Sequence, residues 1–176
     1  MNIQSRDFTF YLALILVLLA CISRLIPHPP NFTPISAIAI FSGAMIADKK
    51  LAFLIPFTIV FFTDLIIGMH NYIWAVYLSF AINTFLGILI SKNLKFLSIF
   101  IVGVFGSLQF YIITNFAVWL NSGIYNYSLE GLLECYILAI PFYQNSVLGD
   151  IFYITMLFLI YITIKNKLVI TQNETS

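Results

Sequence analysis

Acidic and amide side chains interrupt several long apolar runs of this sequence, toward one end of the predicted helices. Asp64 lies within the run FLIPFTIVFFTDLIIGM, about 7–8 Å from the end of that helix at the α-helical rise. Asp150 lies in the first turn of the last predicted helix, and Asn115 lies five residues from the end of another. Ionisable groups inside apolar helices are costly unless they are paired, hydrated or protonated, so they invite a functional explanation.

Further polar residues are predicted at the same end. Arg24 closes the first apolar run, His28 and Asn31 lie in the loop after it, and His70 lies in the next loop on that side. Glu134 lies in a short apolar segment before the last helix. Three helices and three loops therefore bring polar groups to one depth, which predicts a ligand-binding pocket. Its basic group could bind an anion and its acids a cation or a proton, and the sequence does not choose between these.

Each polar residue also has a structural explanation. Asp150 near a helix N-terminus can simply favour the helix macrodipole. Asn115 can hold two helices together, and Glu134 and the loop histidines can face water. Asp64 is the hardest to explain in this way, because it is too deep to reach water easily. We expect it to face the bundle interior within reach of polar groups from helices 5 and 6, chiefly Asn115 and Asp150. The convergence of these residues, rather than any one of them, carries the prediction of a pocket.

Aromatic residues crowd the same end. An aromatic belt at the membrane surface explains most of them. Trp119 and Tyr136 could instead stack on a flat ligand.

The elements that position these residues are transmembrane helices. The chain has 176 residues, of which 61% are hydrophobic and only 9% charged, with a mean hydropathy of +1.01. So little charge cannot cover a water-facing surface, which argues against a soluble domain. A net charge of +1 gives no basic face for nucleic acid. The two cysteines, Cys21 and Cys135, form no metal or redox motif.

The predicted fold is all-α, a single bundle of about six transmembrane helices. A short re-entrant or interfacial segment, 132–143, is expected between helices 5 and 6. Residues 1–164 form one transmembrane domain and residues 165–176 a polar, frayed cytoplasmic tail. Thr33 is a candidate cap of the second helix and Pro34 its first-turn residue. The predicted helices are about Phe8–Ile26, Pro34–Ala47, Leu51–Met69, Ile73–Ser91, Phe96–Leu120 and Val147–Ile164.

The distribution of basic residues orients this bundle. With six spans and the N-terminus inside, seven of the eight basic residues are cytoplasmic and only Arg24 is external. If the second helix failed to span, or if 132–143 spanned, lysines would move outside. We therefore expect a multi-pass protein of the cell (inner) membrane with both termini in the cytoplasm. The seven are Arg6, Lys49, Lys50, Lys92, Lys95, Lys165 and Lys167.

Sequence motifs of enzymes and ATPases are absent. The chain has no Gly-x-Ser-x-Gly elbow, no His-Glu-x-x-His and no P-loop. We therefore predict neither a catalytic residue nor a cofactor nor a metal site. Active transport would draw its energy from an ion gradient or from another subunit.

Four motifs resemble an uncharacterised bacterial family of small proposed transport proteins. They are RLIPHPPNFTPI from Arg24, Asp64 with Gly68 and His70, TNFAVW from Thr114, and AIPF from Ala139 followed by Asn145, Gly149 and Asp150. In size and helix count the chain is also similar to the substrate-binding (S) subunits of energy-coupling factor transporters. That likeness implies a small-molecule substrate bound near the outer face and a separate transmembrane and ATPase module as partner.

Three functions are compatible with these observations. The first is a substrate-capturing membrane transport protein that binds a small solute without covalent chemistry. The second is a scaffold protein of the cell envelope, in which the polar residues form an internal hydrogen-bond network. The third is a membrane enzyme, which lacks a nucleophile motif and ranks last. The predicted ligand-binding residues are Arg24, His28, Asn31, Asp64, His70, Asn115, Trp119, Glu134, Tyr136, Asn145 and Asp150.

Overall fold

Seven α-helices build the chain in a computed structural model, and the described residues contain no strand. The structure describes the backbone of residues 3–69 and 71–174 and the side chains of 10–58, 60–69 and 71–167. The helices are α1 (Ile3–Ser23), α2 (Ile35–Met45), α3 (Lys49–Ile67), α4 (Ile73–Ile90), α5 (Phe96–Asn121), α6 (Leu129–Leu138) and α7 (Ile140–Glu174). The predicted all-α class is confirmed.

Large apolar side chains cover the outside of this bundle. Leu54, Ile66, Leu89 and Leu159 are all more than half exposed, whereas serines, threonines, amides and two aspartates are buried. In water such a surface would be unstable, so the apolar helices indicate a multi-pass protein in a lipid bilayer. Within the described residues, four helices are long and apolar enough to cross a membrane, namely α3, α4, α5 and α7.

Helix α2 is short and lies at the centre of the bundle. Its 11 residues span about 16 Å, roughly half of a hydrocarbon core. All ten residues from Ile35 to Ala44 are buried. A Cβ added to Gly43 would lie 2.0 Å from the carbonyl oxygen of Thr84, and one added to Gly87 would lie 2.0 Å from that of Ile40. The small residues of α2 thus let it pack closely against α4, and the two helices run parallel to each other.

The two ends of the bundle differ in chemistry. Arg24, just after α1, contacts Asp64 in the last turns of α3, and we call this the Arg24 end. The opposite end, where α2 leads into α3, is the Lys49 end. Lys49 donates there to the carbonyl oxygens of Gly43 and Ile46, both at 3.3 Å, which satisfies acceptors at the C-terminus of α2.

The segment 132–143 and the last helix differ from their predicted bounds. Ala139 separates α6 from α7, so the segment divides between α6 and the first residues of α7. Ser128 caps α6 by accepting the N–H of Gly131, and α6 is too short to cross a membrane at about 15 Å. The predicted start of the last helix at Val147 is wrong, since helical structure already begins at Ile140. The predicted frayed tail is also helical as far as Glu174.

Candidate functional site

A buried ion pair joins three helices at the Arg24 end. The Arg24 Nη2 and Asp64 Oδ1 atoms are 2.6 Å apart, and the two side chains are only 11% and 5% exposed. Arg24 Nη1 also donates to the Thr63 hydroxyl at 2.7 Å, and the Tyr77 hydroxyl donates to Asp64 Oδ2 at 3.1 Å. Asp64 therefore faces the bundle interior as predicted. Its partners, however, are Tyr77 of α4 and Arg24 in the loop after α1, rather than residues of α5 and α7.

Asp150 occupies a second polar position on the other side of the same space. It is 2% exposed, and its Oδ2 accepts the Ser107 hydroxyl at 2.7 Å. The Ser36 side chain and the Ala37 backbone N–H also interact with this carboxyl. Ser36 and Ala37 belong to the first turn of α2, where backbone N–H groups lack partners within the helix. The carboxylate thus caps α2, because neither Thr33 nor the actual N-cap residue, Pro34, supplies a side-chain cap.

The position of Asp150 within its own helix differs from the prediction. It does not lie in the first turn, since α7 begins ten residues earlier, about 15 Å away. The macrodipole explanation holds for a different helix from the one expected. Asp150 compensates the N-terminus of α2, which it reaches across the bundle.

A polar cavity of about 170 Å³ lies between these two acidic positions. We call it the niche. Charged and hydroxyl side chains make up much of its wall, together with the loop that leads into α2. Its lining residues are Arg24, Asn31, Thr33, Ile35, Ser36, Asp64, Val76, Phe110, Ser146 and Asp150.

A larger cavity of about 450 Å³ adjoins the niche, and we call it the chamber. The two share Asn31, Val76 and Phe110 in their walls. Asn31 has a φ of 62°, a left-handed conformation that asparagine tolerates better than most residues. The remaining chamber residues come from Tyr72 and from α5, α6 and the segments around α6, namely Thr114, Asn115, Val118, Tyr125, Cys135, Leu138, Ala139 and Phe142.

The polar groups of the chamber are partly engaged with their own helix. The Asn115 side-chain N–H donates to the Tyr111 carbonyl at 2.8 Å, and the Thr114 hydroxyl donates to the Phe110 carbonyl at 2.7 Å. The Asn115 amide retains its side-chain carbonyl oxygen as an acceptor and a second N–H as a donor. Burial raises the pKa of the Cys135 thiol, and this thiol donates to the backbone carbonyl of Asn115 at 3.4 Å. The chamber thus combines acceptor oxygens with aromatic walls.

One known family model matches nearly the whole chain. The model of DUF6580, a family of unknown function, matches residues 4–172. The chain belongs to the DUF6580 family. No curated protein and no solved structure matches it. Both cavities of this DUF6580 chain lie within the matched residues.

Five predicted site residues of the DUF6580 chain lie outside the walls of these two cavities. His28 bonds to the Arg24 and Pro29 carbonyls, and Asn145 donates to the Pro30 carbonyl at 3.0 Å, so both hold the loop before α2. Trp119 donates to the Asn126 carbonyl, and the Tyr136 hydroxyl donates to the Ile112 carbonyl, which fixes the segments around α6. Glu134 is exposed on α6. A ligand role for these five stays a prediction.

His70, the remaining predicted site residue, lies outside the described residues. Three residues of the observed site, in contrast, were not predicted. Ser36, Ser107 and Tyr77 surround the two aspartates, yet nothing in the sequence singled them out. Their one signal is a hydroxyl group within an apolar helix, which is common in membrane proteins and more often bonds to its own backbone.

Proposed function

We propose that this chain is a membrane transport protein that captures a small solute in the niche and chamber, as the substrate-binding subunit of a transport system. The observation that carries the proposal is the pair of adjoining cavities with Arg24, Asp64 and Asp150 in their inner wall. The larger volume, about 450 Å³, falls in the range of small-molecule sites, roughly 300–1,000 Å³.

The charges around the niche support a binding site over a purely structural network. Burying an aspartate against empty space is unfavourable, since protein or water must satisfy its lone pairs. A scaffold could close around Asp150 with hydroxyl groups from every side. Here instead Asp150 and Asp64 both border open volume, and Asn31 and Phe110 connect that volume to a second cavity.

The proposed topology places both cavities at the external face. In it α1 and α2 also cross the membrane, which gives six spans with cytoplasmic termini. The short α2 is completed by the loop of residues 24–34, which descends to line the niche through Asn31 and Thr33. Irregular backbone at membrane depth is tolerated where it lines a polar cavity. α6, which is too short to span, then forms a wall of the external chamber with Cys135 and Leu138.

Similarity to energy-coupling factor S subunits extends the proposal. Those are six-helix proteins of comparable length that bind solutes under external loops. The likeness would provide a separate transmembrane and ATPase module as the energy source, in keeping with the lack of a nucleotide-binding motif in this sequence. It rests on size, helix count and the position of the cavities, so it remains analogy.

A scaffold role in the cell envelope is the second candidate, and one observation favours it. The Arg24–Asp64 pair is already complete with Thr63 and Tyr77 and needs no ligand. Asp64, the residue that was hardest to explain from the sequence as purely structural, therefore has a sufficient structural explanation. The two candidates differ in what they require of the cavities, which are essential for binding and incidental for a scaffold.

Native mass spectrometry of the protein released from detergent tests the proposal. We expect a small molecule to remain bound to the parent chain. Val76 lies in the walls of both cavities, so a Val76→Trp variant should fill them and lose this mass. Leu78 on the same helix is exposed to lipid, so Leu78→Trp should retain it. Retention by both variants, or a parent chain that carries no solute after gentle extraction and binds none from a cell extract, would contradict capture.

A further inference from the structure

The charges around the niche do not cancel. Arg24 is held by Asp64 at 2.6 Å, so this pair is close to neutral as a unit. Asp150 has no basic partner in the part of the chain that the structure describes, and its contacts there are hydroxyl and N–H groups. When ionised, it gives the niche an excess of one negative charge.

The N-terminus of α2 offsets part of this excess. A helix N-terminus carries roughly half a positive charge, and Asp150 already sits on it. A half-helix that points at a cavity would otherwise be an anion site. Here the protein supplies the anion itself, so the space beyond the carboxylate remains negative. A second anion would be repelled, whereas a positively charged group would be attracted.

The walls of the adjoining chamber favour the same charge. Four aromatic residues line it, namely Tyr72, Phe110, Tyr125 and Phe142. Aromatic faces attract cations and also stack on flat apolar groups. Asn115 adds a side-chain carbonyl oxygen that can accept from a protonated nitrogen, while one of its two side-chain N–H groups is bonded to the Tyr111 carbonyl.

We propose that the solute is a small organic cation, with a protonated nitrogen directed at Asp150 in the niche and a flat apolar body in the chamber. This inference rests on the proposed function, since it names the class of solute that the site would capture. The niche, at about 170 Å³, accepts a small charged group, and the chamber, at about 450 Å³, accepts the larger body. Phe110 and Val76 border both parts, so one ligand can extend across the junction.

Two other occupants fit these observations less well. An anion would have to displace Asp64 from Arg24 or share Arg24 with it, while facing Asp150. A bound metal ion normally requires three or more ligating side chains, and no group of three His, Cys, Asp or Glu is found among the described residues. The organic cation satisfies the carboxylate and the aromatic walls together.

Three matched probes test the charge preference. They are 2-phenylethylamine, which is cationic at neutral pH, 2-phenylethanol, which is neutral, and 3-phenylpropanoate, which is anionic. Binding to the purified full-length chain in nanodiscs can be measured by the shift in melting temperature and by ligand-observed NMR. We expect the amine to bind about tenfold or more tightly than the alcohol, and the carboxylate not to bind.

Variants test whether Asp150 is the group that causes the preference for the amine. Asp150→Asn should bring the amine down to the affinity of the alcohol, while Glu130→Gln, an exposed acid on α6, should change nothing. If Asp150→Asn fails to fold, Phe142→Leu provides an independent reading, because it removes an aromatic wall and should weaken amine binding several-fold.

The outcomes separate the two proposals. Equal binding of the alcohol, or tighter binding of the carboxylate, with loss in Val76→Trp would overturn the cation and leave the solute site standing. Binding of none of the three at millimolar concentration would overturn the cation class as stated. Solute capture would then be judged on its own by the mass spectrum of the co-purified molecule.

Discussion

The Arg24–Asp64 pair makes a quantitative prediction about stability. If Asp64 bonded only to neutral groups, Asp64→Asn would leave folding largely intact, because the amide keeps the shape and one acceptor. The ion pair changes this expectation. An amide cannot neutralise a guanidinium that is 11% exposed, so Asp64→Asn leaves a buried charge without a partner.

The expected magnitude follows from that charge. Removing one member of a buried pair costs about 3–5 kcal/mol, and an unpaired arginine at membrane depth costs a similar amount, about 3 kcal/mol, on the insertion scale. For a chain of this size about 3 kcal/mol corresponds to a melting temperature roughly 6–12 °C lower. Replacing both members, in Arg24→Met with Asp64→Leu, should recover most of this loss, since apolar pairs often substitute for buried ion pairs.

The chain suits a thiol-reactive melting assay. Its two cysteines, Cys21 and Cys135, are free and buried, so a fluorogenic maleimide reports unfolding without added labels. Tyr77→Phe is the matched control, because it removes only the 3.1 Å hydrogen bond to Asp64 and should cost about 1 kcal/mol. The reasoning is refuted if Asp64→Asn melts with the parent, or if the double variant is less stable than both single variants.

Three further predictions concern packing, acidity and topology. Gly87→Ala should destabilise by about 1–3 kcal/mol or prevent folding, because its Cβ would lie 2.0 Å from a backbone carbonyl of α2; Gly103→Ala, where the obstacle is a flexible side-chain methyl at 2.9 Å, should melt near the parent. Because burial raises the pKa of Cys135, its protonated thiol contributes stability at pH values below the ordinary thiol pKa. This contribution should be lost as pH rises through the pKa of the folded protein. Melting temperatures measured against pH should show the loss in the parent chain and not in Cys135→Ala. Single cysteines introduced at Lys92 and Glu134 should react with impermeant reagents from the cytoplasm and from outside, respectively, and strong external labelling at Lys92 would overturn the six-span proposal.

The sequence was sufficient for the class of fold and for most helix positions. Long apolar runs located α3, α4 and α5 within a few residues, since a bilayer requires helices of a fixed minimum length. The start of α7 was missed by seven residues. The apolar segment 132–143 had no break signal at the right place, and Pro141 fits within the first turn of a helix as well as before it.

The site was predicted in part, because depth along a helix can be estimated from sequence whereas rotation about it cannot. Arg24, Asn31, Asp64, Asn115 and Asp150 all line the niche or the chamber, as their common depth suggested. Which of them touch each other depends on helix rotation and crossing angle, which apolar runs leave undetermined. Asp64, which was expected within reach of Asn115 and Asp150, instead forms an ion pair with Arg24 in the loop that follows α1.

The short α2 explains why these residues enclose a cavity rather than a packed core. A full-length helix at the centre of the bundle would fill the space that the niche occupies, and its first N–H groups would lie at the end of the bundle, where water can satisfy them. α2 instead starts midway, with Pro34 as its N-cap and no side-chain cap of its own. Its first-turn N–H groups then require an acceptor from elsewhere, and Asp150 of α7 provides one. The interruption therefore creates the open volume and also places an aspartate in its wall.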